Sequence, residues 1–517
     1  MSAKTGEAAL ERAVRIYERL DARRTEIDKA ENYFGGAQTL TFATKEWLDK
    51  NGARFNGFSD NWCATVANSE SERLAHTGIK YRDRGEGDDG LDTYGRKADA
   101  LGIATWDDWL RNEMDAQQSQ GILTTLIARR SFVSVWSSDQ DGTPQYEWEH
   151  PANVEVDYHW MNPRQRQAAI KTWLDETHEF LLLDDGASLW KWRRSREQMT
   201  DAKQAQTAQA KQRQNGTTGG WDAWSGAGED TWPIPNPIGE VSFVEVPNRP
   251  MLRGEPVSEI EGVMPMQDAI NLLWAYLFHA ADYASMPARV LLGTNPPMRN
   301  VLDESGNVVG QSPITMPELN EARMAVFNNE NAKIDQWDPA QLDPFTKVIE
   351  VAVGHIAAQT RTPPHYLVAN KGISNLSGDA LKSAEIGLVK KAVEFQRFAT
   401  PALRDVHRLG HLVRGNTALA EATRFATLTW ANPEIRSESE LADALVKKKS
   451  IGYPTKYLME LDGVSPTDML RIERMLEEER AADPLNHALR DLGGADDPAG
   501  GPSALPEPAA DRSSLGS

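Results

Sequence analysis

The chain has 517 residues, 40% of them hydrophobic and 26% charged, and 76 acidic against 56 basic side chains leave a net charge of −20. That length permits about two to four domains with a substantial core, and the charge excludes a protein that grips nucleic acid across a broad basic footprint. Cys63 is the single cysteine, which excludes an intrachain disulfide or cysteine-rich metal centre and points to a reducing compartment; no apolar run approaches the ~18 residues of a membrane span, and MSAKTGEAALERAVRIYERL lacks the apolar block of a signal peptide.

Residues 6–31 have helical periodicity, with Leu10, Val14, Tyr17, Leu20 and Ile27 on one stripe, and Tyr33-Phe34-Gly35-Gly36 breaks it. Further helices are expected around Trp62–Ala75 and Trp106–Ile127. The texture then changes to short runs rich in β-formers: SFVSVW (131–136), QYEWEH (145–150), NVEVDY (153–158), AIKTWL (169–174), EFLLL (179–183), SLWKW (188–192) and VSFVEV (241–246). Turn signals at Asp141-Gly142 and Asp184-Asp185-Gly186 separate them, which reads as an antiparallel meander in an α+β unit. Residues 196–237 interrupt it in low-complexity order and read as a mobile insertion. Trp221, Trp224 and Trp232 within it are either docking anchors or covers for local apolar surface, the second being the simpler reading.

Downstream of Pro256, Ser258 and Glu261 have the spacing of a capping box. Ile260, Met264, Ile270, Leu273, Trp274, Leu277, Phe278 and Ala281 recur at steps of three and four, predicting a helix to about Ser285, roughly 40 Å long. Pro287 ends it. Residues 287–342 return to short strand-like pieces and a small helix, with PPMRN and DESGN as turns. A second helix over about Phe345–Thr360 stops at Pro363-Pro364. The segment NKGISNLSGDALKSAE (370–385) leads into a third long helix, 379–413, bent at Pro401. Short helices start at Ser437, boxed with Glu440, and at Ser465-Pro466, boxed with Asp468. From about Asp483 the Ala, Gly, Pro, Asp and Ser composition predicts disorder.

Motifs for chemistry are missing. Lys371 precedes both Gly372 and Gly378, so 370–385 is not a Walker loop, and no nucleophile elbow, HExxH or EF-hand loop occurs. His407 and His411 have the spacing of a metal pair on one helix face, but no carboxylate motif accompanies them, so a solvated face is the simpler reading. Asp184-Asp185 belongs to a hairpin turn, Glu477-Glu478-Glu479 to a solvated helix face, and Cys63 beside Trp62 to a buried structural site. No catalytic residue, cofactor or metal is expected. In 370–385, two glycines give compliance, Asn370, Ser374, Asn375 and Ser377 offer neutral hydrogen-bonding groups, and Lys371 offers one cation. Such a segment suits light contact with a phosphate backbone, or an ordinary connection capped by Ser377 or Asp379; the residues leave both open, the connection being the plainer.

SEIEGVMPMQDAINLLWAYL (258–277), MPARVLLG (286–293) and TRTPPHYLVANKGISNLSGDALKSAEIGLVKKAVEFQRFATPALRDV (360–406) together resemble the portal proteins of tailed double-stranded DNA phages. The likeness is to the SPP1-type group, in the branch found in phages of actinobacteria. NYFGGAQTLTF (32–42), DNWCATVANSESERLAHTGI (60–79) and LDGVSPTDMLRIERMLEEERA (461–481) fit the same family, so the resemblance spans about 10–482 and rests on the order and spacing of weak motifs. It implies a portal-like α+β architecture. The wing would take 1–257 with the insertion 196–237, stem helices 258–286 and 344–361, and a clip 287–343. A tunnel loop at 362–378, wing continuation at 379–436, crown at 437–482 and disordered tail at 483–517 complete it.

The resemblance further implies a non-enzymatic homo-oligomer, a dodecamer, at the unique capsid vertex of the virion, assembled in the host cytoplasm and serving as the channel for double-stranded DNA packaging and ejection. Implied partners are the terminase large subunit, docking at the clip, the major capsid and scaffolding proteins and a head–tail adaptor protein, with no membrane. DNA in a channel of such acidic subunits meets a mostly repulsive wall. Asn370, Lys371, Ser374 and Asn375 are then the expected DNA-contacting residues, and Ile270, Leu273, Trp274 and Leu277 the expected stem-packing residues. The insertion 196–237 matches no shared portal feature. The alternative is another viral structural protein, a minor capsid or head–tail adaptor component, although adaptors are shorter and need no pair of long helices around a small module.

Overall fold

The computed structural model describes residues 3–38, 59–81, 94–137, 142–195, 220–225, 232–285, 289–292, 298–302, 308–313, 324–327, 342–367, 378–434, 438–464 and 466–482. They fall into two compact units, Met1–Ser437 and Glu438–Ser517. Both helices and antiparallel sheets build the first.

Helix α1 (Ala3–Phe34) is amphipathic as its periodicity requires. Leu10, Ala13, Ile16 and Leu20 are buried against Ala168, Ile170, Leu181 and Leu183, with Val14 and Tyr17 packed at the margin. Its polar side is pinned as well: Arg12 and Arg19 pair with Asp157, and Arg23 pairs with Glu155. Helix α2 (Trp62–Ser71) starts where the Asn61 side chain accepts from Ala64 N, and strand β1 (His76–Lys80) follows.

The single helix expected over 106–127 is two, α3 (Tyr94–Arg111) and α4 (Met114–Ala128). Glu113 between them adopts a left-handed φ of 54°. The cause is Asn112, whose amide donates to Asp108 O and Pro144 O while its Oδ1 accepts from Tyr146 N. Partners 32 and 34 residues away thus break the helix.

The expected meander is also divided. Strands β2 (Arg130–Ser137) and β3 (Pro144–Glu149) form one antiparallel pair. Strands β4 (Val154–His159), β5 (Asn162–Leu174), β6 (His178–Asp184) and β7 (Ser188–Ser195) belong to another sheet, with the turn at 150–153 between. Buried Phe132, Val154, Val156, Ala169, Leu182 and Phe243 fill the space between these sheets. This accounts for the unbroken apolar run in β6, which is covered on both faces. The turn at Asp184-Asp185-Gly186 is as expected: Gly186 has φ +83°, Asp184 Oδ1 accepts from Gly186 N, and Asp185 Oδ1 from Ser188 N.

Not all of 196–237 behaves as a mobile insertion. Residues 196–219 and 226–231 lie outside the described ones, but both returns join the sheet. Strand β8 (Asp222–Ala223) pairs with β7, and β9 (Ile234–Pro235) pairs with the start of β7. The aromatics supply the reason. Trp221 is buried, Trp224 packs on Phe180, and Trp232 stands edge-on to Trp190 and Trp192. They cover local apolar surface. Strand β10 (Phe243–Pro247) then returns to the other edge of β2.

The next helix, α5, runs Met264–Ser285 and begins six residues later than expected. Ser258 and Glu261 form no capping box, because both are engaged by the end of α4: Ser258 Oγ donates to Ile127 O, and Glu261 pairs with Arg129. Four strands follow. Strands β11 (Arg289–Leu292) and β14 (Met324–Phe327) pair in parallel, while β12 (Met298–Leu302) and β13 (Val308–Pro313) form an antiparallel hairpin. PPMRN is therefore no turn, since Met298, Arg299 and Asn300 lie in β12; DESGN and the small helix expected here fall outside the described residues. Helix α6 (Asp343–Thr360) returns beside α5, with Gln359 Nε2 donating to Gly262 O at 3.2 Å, so the C-terminal end of α6 meets the N-terminal end of α5.

A short helix, α7 (Pro364–Leu367), precedes the 36-residue α8 (Gly378–Val413), which contains Pro401. Leu388, Ala392, Phe395, Ala399, Leu403 and Val406 form its buried face, most of them packed with Trp109, Val133 and Val244. Gly121 and Gly410 permit this packing, since a Cβ at either would collide with Trp148 or Tyr146. Helix α9 (Thr417–Thr423) and strand β15 (Thr427–Trp430) close the unit, β15 pairing antiparallel with β1.

The second unit contains α10 (Glu438–Ser450), α11 (Thr455–Leu461) and α12 (Pro466–Ala482), with Leu458 and Met469 buried and Glu477, Glu478 and Glu479 exposed. Ser437, Ser465 and the tail 483–517 lie outside the described residues.

Candidate functional site

Asn370, Lys371, Ser374 and Asn375 fall in 368–377, outside the described residues, but both shores of that segment are described. On one side, Leu367 is buried in the core shared by α2, α5 and α6. On the other, α8 begins at Gly378. A single polar node joins them. Arg73, just past α2, donates to Tyr366 OH at 2.6 Å and to Pro433 O at 2.8 Å, and pairs with Glu385 of α8 at 3.4 Å. Tyr366 OH in turn donates to Glu385 Oε1 at 3.2 Å.

Beneath this node lies a buried charge cluster. Lys391 is 2% exposed, and its Nζ sits 2.9 Å from Glu70 Oε2, 3.0 Å from Glu259 Oε2 and 3.1 Å from Thr360 O. Glu259 Oε1 also takes Arg249 Nε at 3.1 Å and Asn248 Nδ2 at 3.2 Å. Burial opposes the Lys391 charge, but Glu70 and Glu259 outweigh it and hold its pKa above the ordinary lysine value. Burial, with repulsion from Glu259, pushes Glu70 up against the attraction of Lys391. Glu70 and Glu259 face Lys391 and Arg249, so the cluster ties α2, α6, α8 and the chain at 248–259 together. No local motif announces it. The available signal was that Lys391 falls on the apolar stripe of α8 with Leu388, Ala392 and Phe395, where a lysine requires a partner.

Of the residues expected to pack the helix pair, Ile270 is fully buried, Leu273 and Trp274 are partly buried against the same core, and Leu277 is half-buried. Trp274 Nε1 donates to Asp60 Oδ2 at 2.8 Å, and Tyr33 OH to Asp268 Oδ2 at 2.7 Å, so polar as well as apolar contacts fix α5. Phe278 on α5 and Val348 and Val351 on α6 remain exposed.

Other candidate chemistry resolves into core packing. His407 and His411 occupy no solvated face: both are buried. His76 Nδ1 lies 3.0 Å from Thr429 O and must carry the hydrogen, leaving its Nε2 to accept from His407 Nε2 at 3.2 Å. His407 Nδ1 is then a bare acceptor without a partner. His411 Nε2 lies 2.8 Å from Tyr81 OH. Burial brings His76 and His411 down to about 4 and His407 well below its ordinary value. Cys63 is wholly buried, and burial pushes its thiol up to about 12. Among the described residues no group of three or more His, Cys, Asp or Glu could hold a metal ion. Among the described residues, those that line a cleft of about 410 Å³ beside Trp136, Trp173 and Lys191 include no carboxylate, histidine or hydroxyl.

A family profile described as phage portal protein, SPP1 Gp6-like, matches residues 14–485. The portal protein of Mycobacterium phage L5 is 24% identical over 408 residues, spanning 78% of this chain and 73% of its own length. The portal protein of Mycobacterium phage D29 is 24% identical over 419 residues, spanning 80% and 78% respectively. Two solved structures, the virion of the native gene transfer agent particle and the neck of that particle computed with C12 symmetry, align with 83% of this chain and with 90% and 95% of theirs. Both do so at 9% identity and a TM-score of 0.37, a superposition too loose for detailed comparison of folds.

Proposed function

This chain belongs to the SPP1 Gp6-like phage portal proteins, and from that premise we propose that it closes into a dodecameric ring at the unique capsid vertex, through which double-stranded DNA is packaged and ejected. The observation that carries this reading is the arrangement of α5 and α6. Two helices joined at one end bracket the strands of 289–327, and the glycine-flanked segment 368–377 follows directly. The pair corresponds to a stem, the bracketed strands to a clip, the units before and after to a wing, and α10–α12 to a crown.

Of the tunnel loop expected at 362–378, 364–367 form α7 and Gly378 opens α8, so 368–377 takes that role in this reading. Lys371 supplies a sparse ring of cations among the neutral groups of Asn370, Ser374 and Asn375. Such a ring centres a passing duplex without the multiple phosphate contacts that would hold it. The Arg73–Tyr366–Glu385 node and the Lys391 cluster support the reading, because a compliant loop guides a polymer only from fixed ends. The chain itself hydrolyses nothing; work on DNA falls to the terminase large subunit docked at the clip. Major capsid, scaffolding and head–tail adaptor proteins contact other faces, and the ring resides in the virion after assembly in the host cytoplasm.

Native mass spectrometry of the purified full chain, with negative-stain images along the particle axis, tests the proposal. A closed ring with an axial hole is expected. A compact monomer, or an open chain of subunits without a hole, refutes it.

A further inference from the structure

Between β10 and α5 the chain turns through 248–257, a loop held rigidly at its base and bare at its tip. Asn248 is 0% exposed; its O accepts from Val257 N at 3.1 Å, and its Nδ2 donates to Val257 O at 2.8 Å and Glu259 Oε1 at 3.2 Å. Arg249 takes a left-handed φ of 41°, unfavourable for a residue with a Cβ, and its guanidinium is ion-paired with Glu259. Arg130 pairs with both Glu245 and Glu255 across the loop's foot. Above this clamp, Met251 is 58% exposed and Leu252 110% exposed. Among the described residues nothing covers these two apolar side chains, yet strained backbone and buried polar groups hold the loop that carries them. A preorganised apolar tip of this kind loses little entropy on docking.

We propose that 249–256 is an intersubunit finger, which seats Met251 and Leu252 of one copy on the outer face of α6 in the next copy, across Val351, Gly354 and Ala358. The proposal rests on the ring reading, in which each copy must present different faces to its two neighbours. Rotation about the ring axis preserves height, so patches that meet between neighbours lie at one level. Lys391, bound to both Glu259 and Thr360 O, and the hydrogen bond from Gln359 to Gly262 put the C-terminal end of α6 near the level of the finger's foot, with Ala358 there and Val351 about 12 Å further along the helix. Val351, Gly354 and Ala358 share one helix face by their spacing of three and four, and all three are exposed. A Cβ built on Gly354 meets nothing within 4 Å, so the face offers a hole of the kind that receives a leucine knob.

The sole native cysteine, Cys63, is wholly buried, which makes disulfide trapping in the full chain clean. Leu252→Cys combined with Val351→Cys, or with Ala358→Cys to cover a shift of two turns, should give a ladder of cross-linked subunits on a non-reducing denaturing gel, and neither single variant should give one beyond a dimer. Leu252→Asp should leave the circular dichroism of the subunit unchanged while raising the concentration for half-assembly about tenfold, equivalent to about 1.4 kcal/mol. Wild-type rings with no ladder from either double variant, or Leu252→Asp rings assembling at the wild-type concentration, overturn the finger and leave the ring standing. A monomeric wild type overturns both.

Discussion

The α1 and α8 side of the molecule and the α5–α6 pair bury apolar surface in different ways. Helix α1 lies on β5–β7 with its apolar stripe covered within the subunit, and α8 does the same on the β2 sheet. The paired helices instead commit one side, through Ile270, Ile349, Val353 and Ile356, and leave Phe278, Val348 and Val351 facing out. The strands they bracket are barer still, with Met298, Val301, Val308 and Val309 exposed. The first region covers these apolar stripes within the subunit; the second leaves a larger share of its apolar faces for others to cover, as the proposed ring would require.

The sharpest way to break this contrast is at the cluster joining the two regions. Lys391→Ala leaves Glu70 and Glu259 buried without their shared cation, and a loss of about 3–5 kcal/mol is expected in urea unfolding. A loss within experimental error would show that the cluster does not hold α2, α6 and α8 together. On the helix pair, Leu273→Asp puts a charge against the common core and should cost several kcal/mol, roughly 3. Val351→Asp, on the outer face, should change subunit stability by no more than about 0.5 kcal/mol while weakening ring assembly. Equal unfolding midpoints for the two variants would erase the distinction between the faces.

The buried histidines test the self-sufficient side by pH. His76 and His411 are lowered to about 4 by burial, so the folded state keeps them neutral while the unfolded chain binds protons near 6.5. Their contribution is full above that pH and is lost as pH falls from about 6.5 to about 4. Glu70, Glu149, Glu155 and Asp184, raised chiefly by burial, work in the opposite direction over their own ranges. The histidine share is therefore best read directly, by ring-proton NMR. His76, His407 and His411 should remain neutral at pH 5, and titration of all three near 6.5 would sink the assignment. The smallest expected effect on stability is at Lys371→Ala, which should leave melting and ring formation unchanged but alter DNA packaging or retention. Unchanged particle yield and DNA content would remove Lys371 from the channel.

Much of the helix layout was legible because its causes are local. Apolar steps of three and four set α1, α6 and α8 to within a few residues, and Asp-Asp-Gly chemistry set the β6–β7 turn. Failures occurred where a distant group took over a local signal. Asn112 split a helix by bonding to β3, and Ser258 left its capping role for Ile127 O. The tryptophans of 220–232 closed part of an expected insertion onto β7. The site divides likewise: compliance of 370–378 is an expectation that glycine and small polar residues allow, whereas the anchoring of the residues that flank it is not readable, because Glu70 and Lys391 are far apart in the chain.

Amino-acid order by itself determined the helical periods, the turn chemistry, the acidity of the chain and the lack of any motif for covalent work. These follow from bonds and side-chain spacings within a few residues. Tertiary structure alone decided which charges are buried in pairs, which histidines stay neutral, and that Met251 and Leu252 stand in solvent rather than in the core. Desolvation and exposure depend on what the whole chain brings alongside a side chain, and no local pattern carries that information.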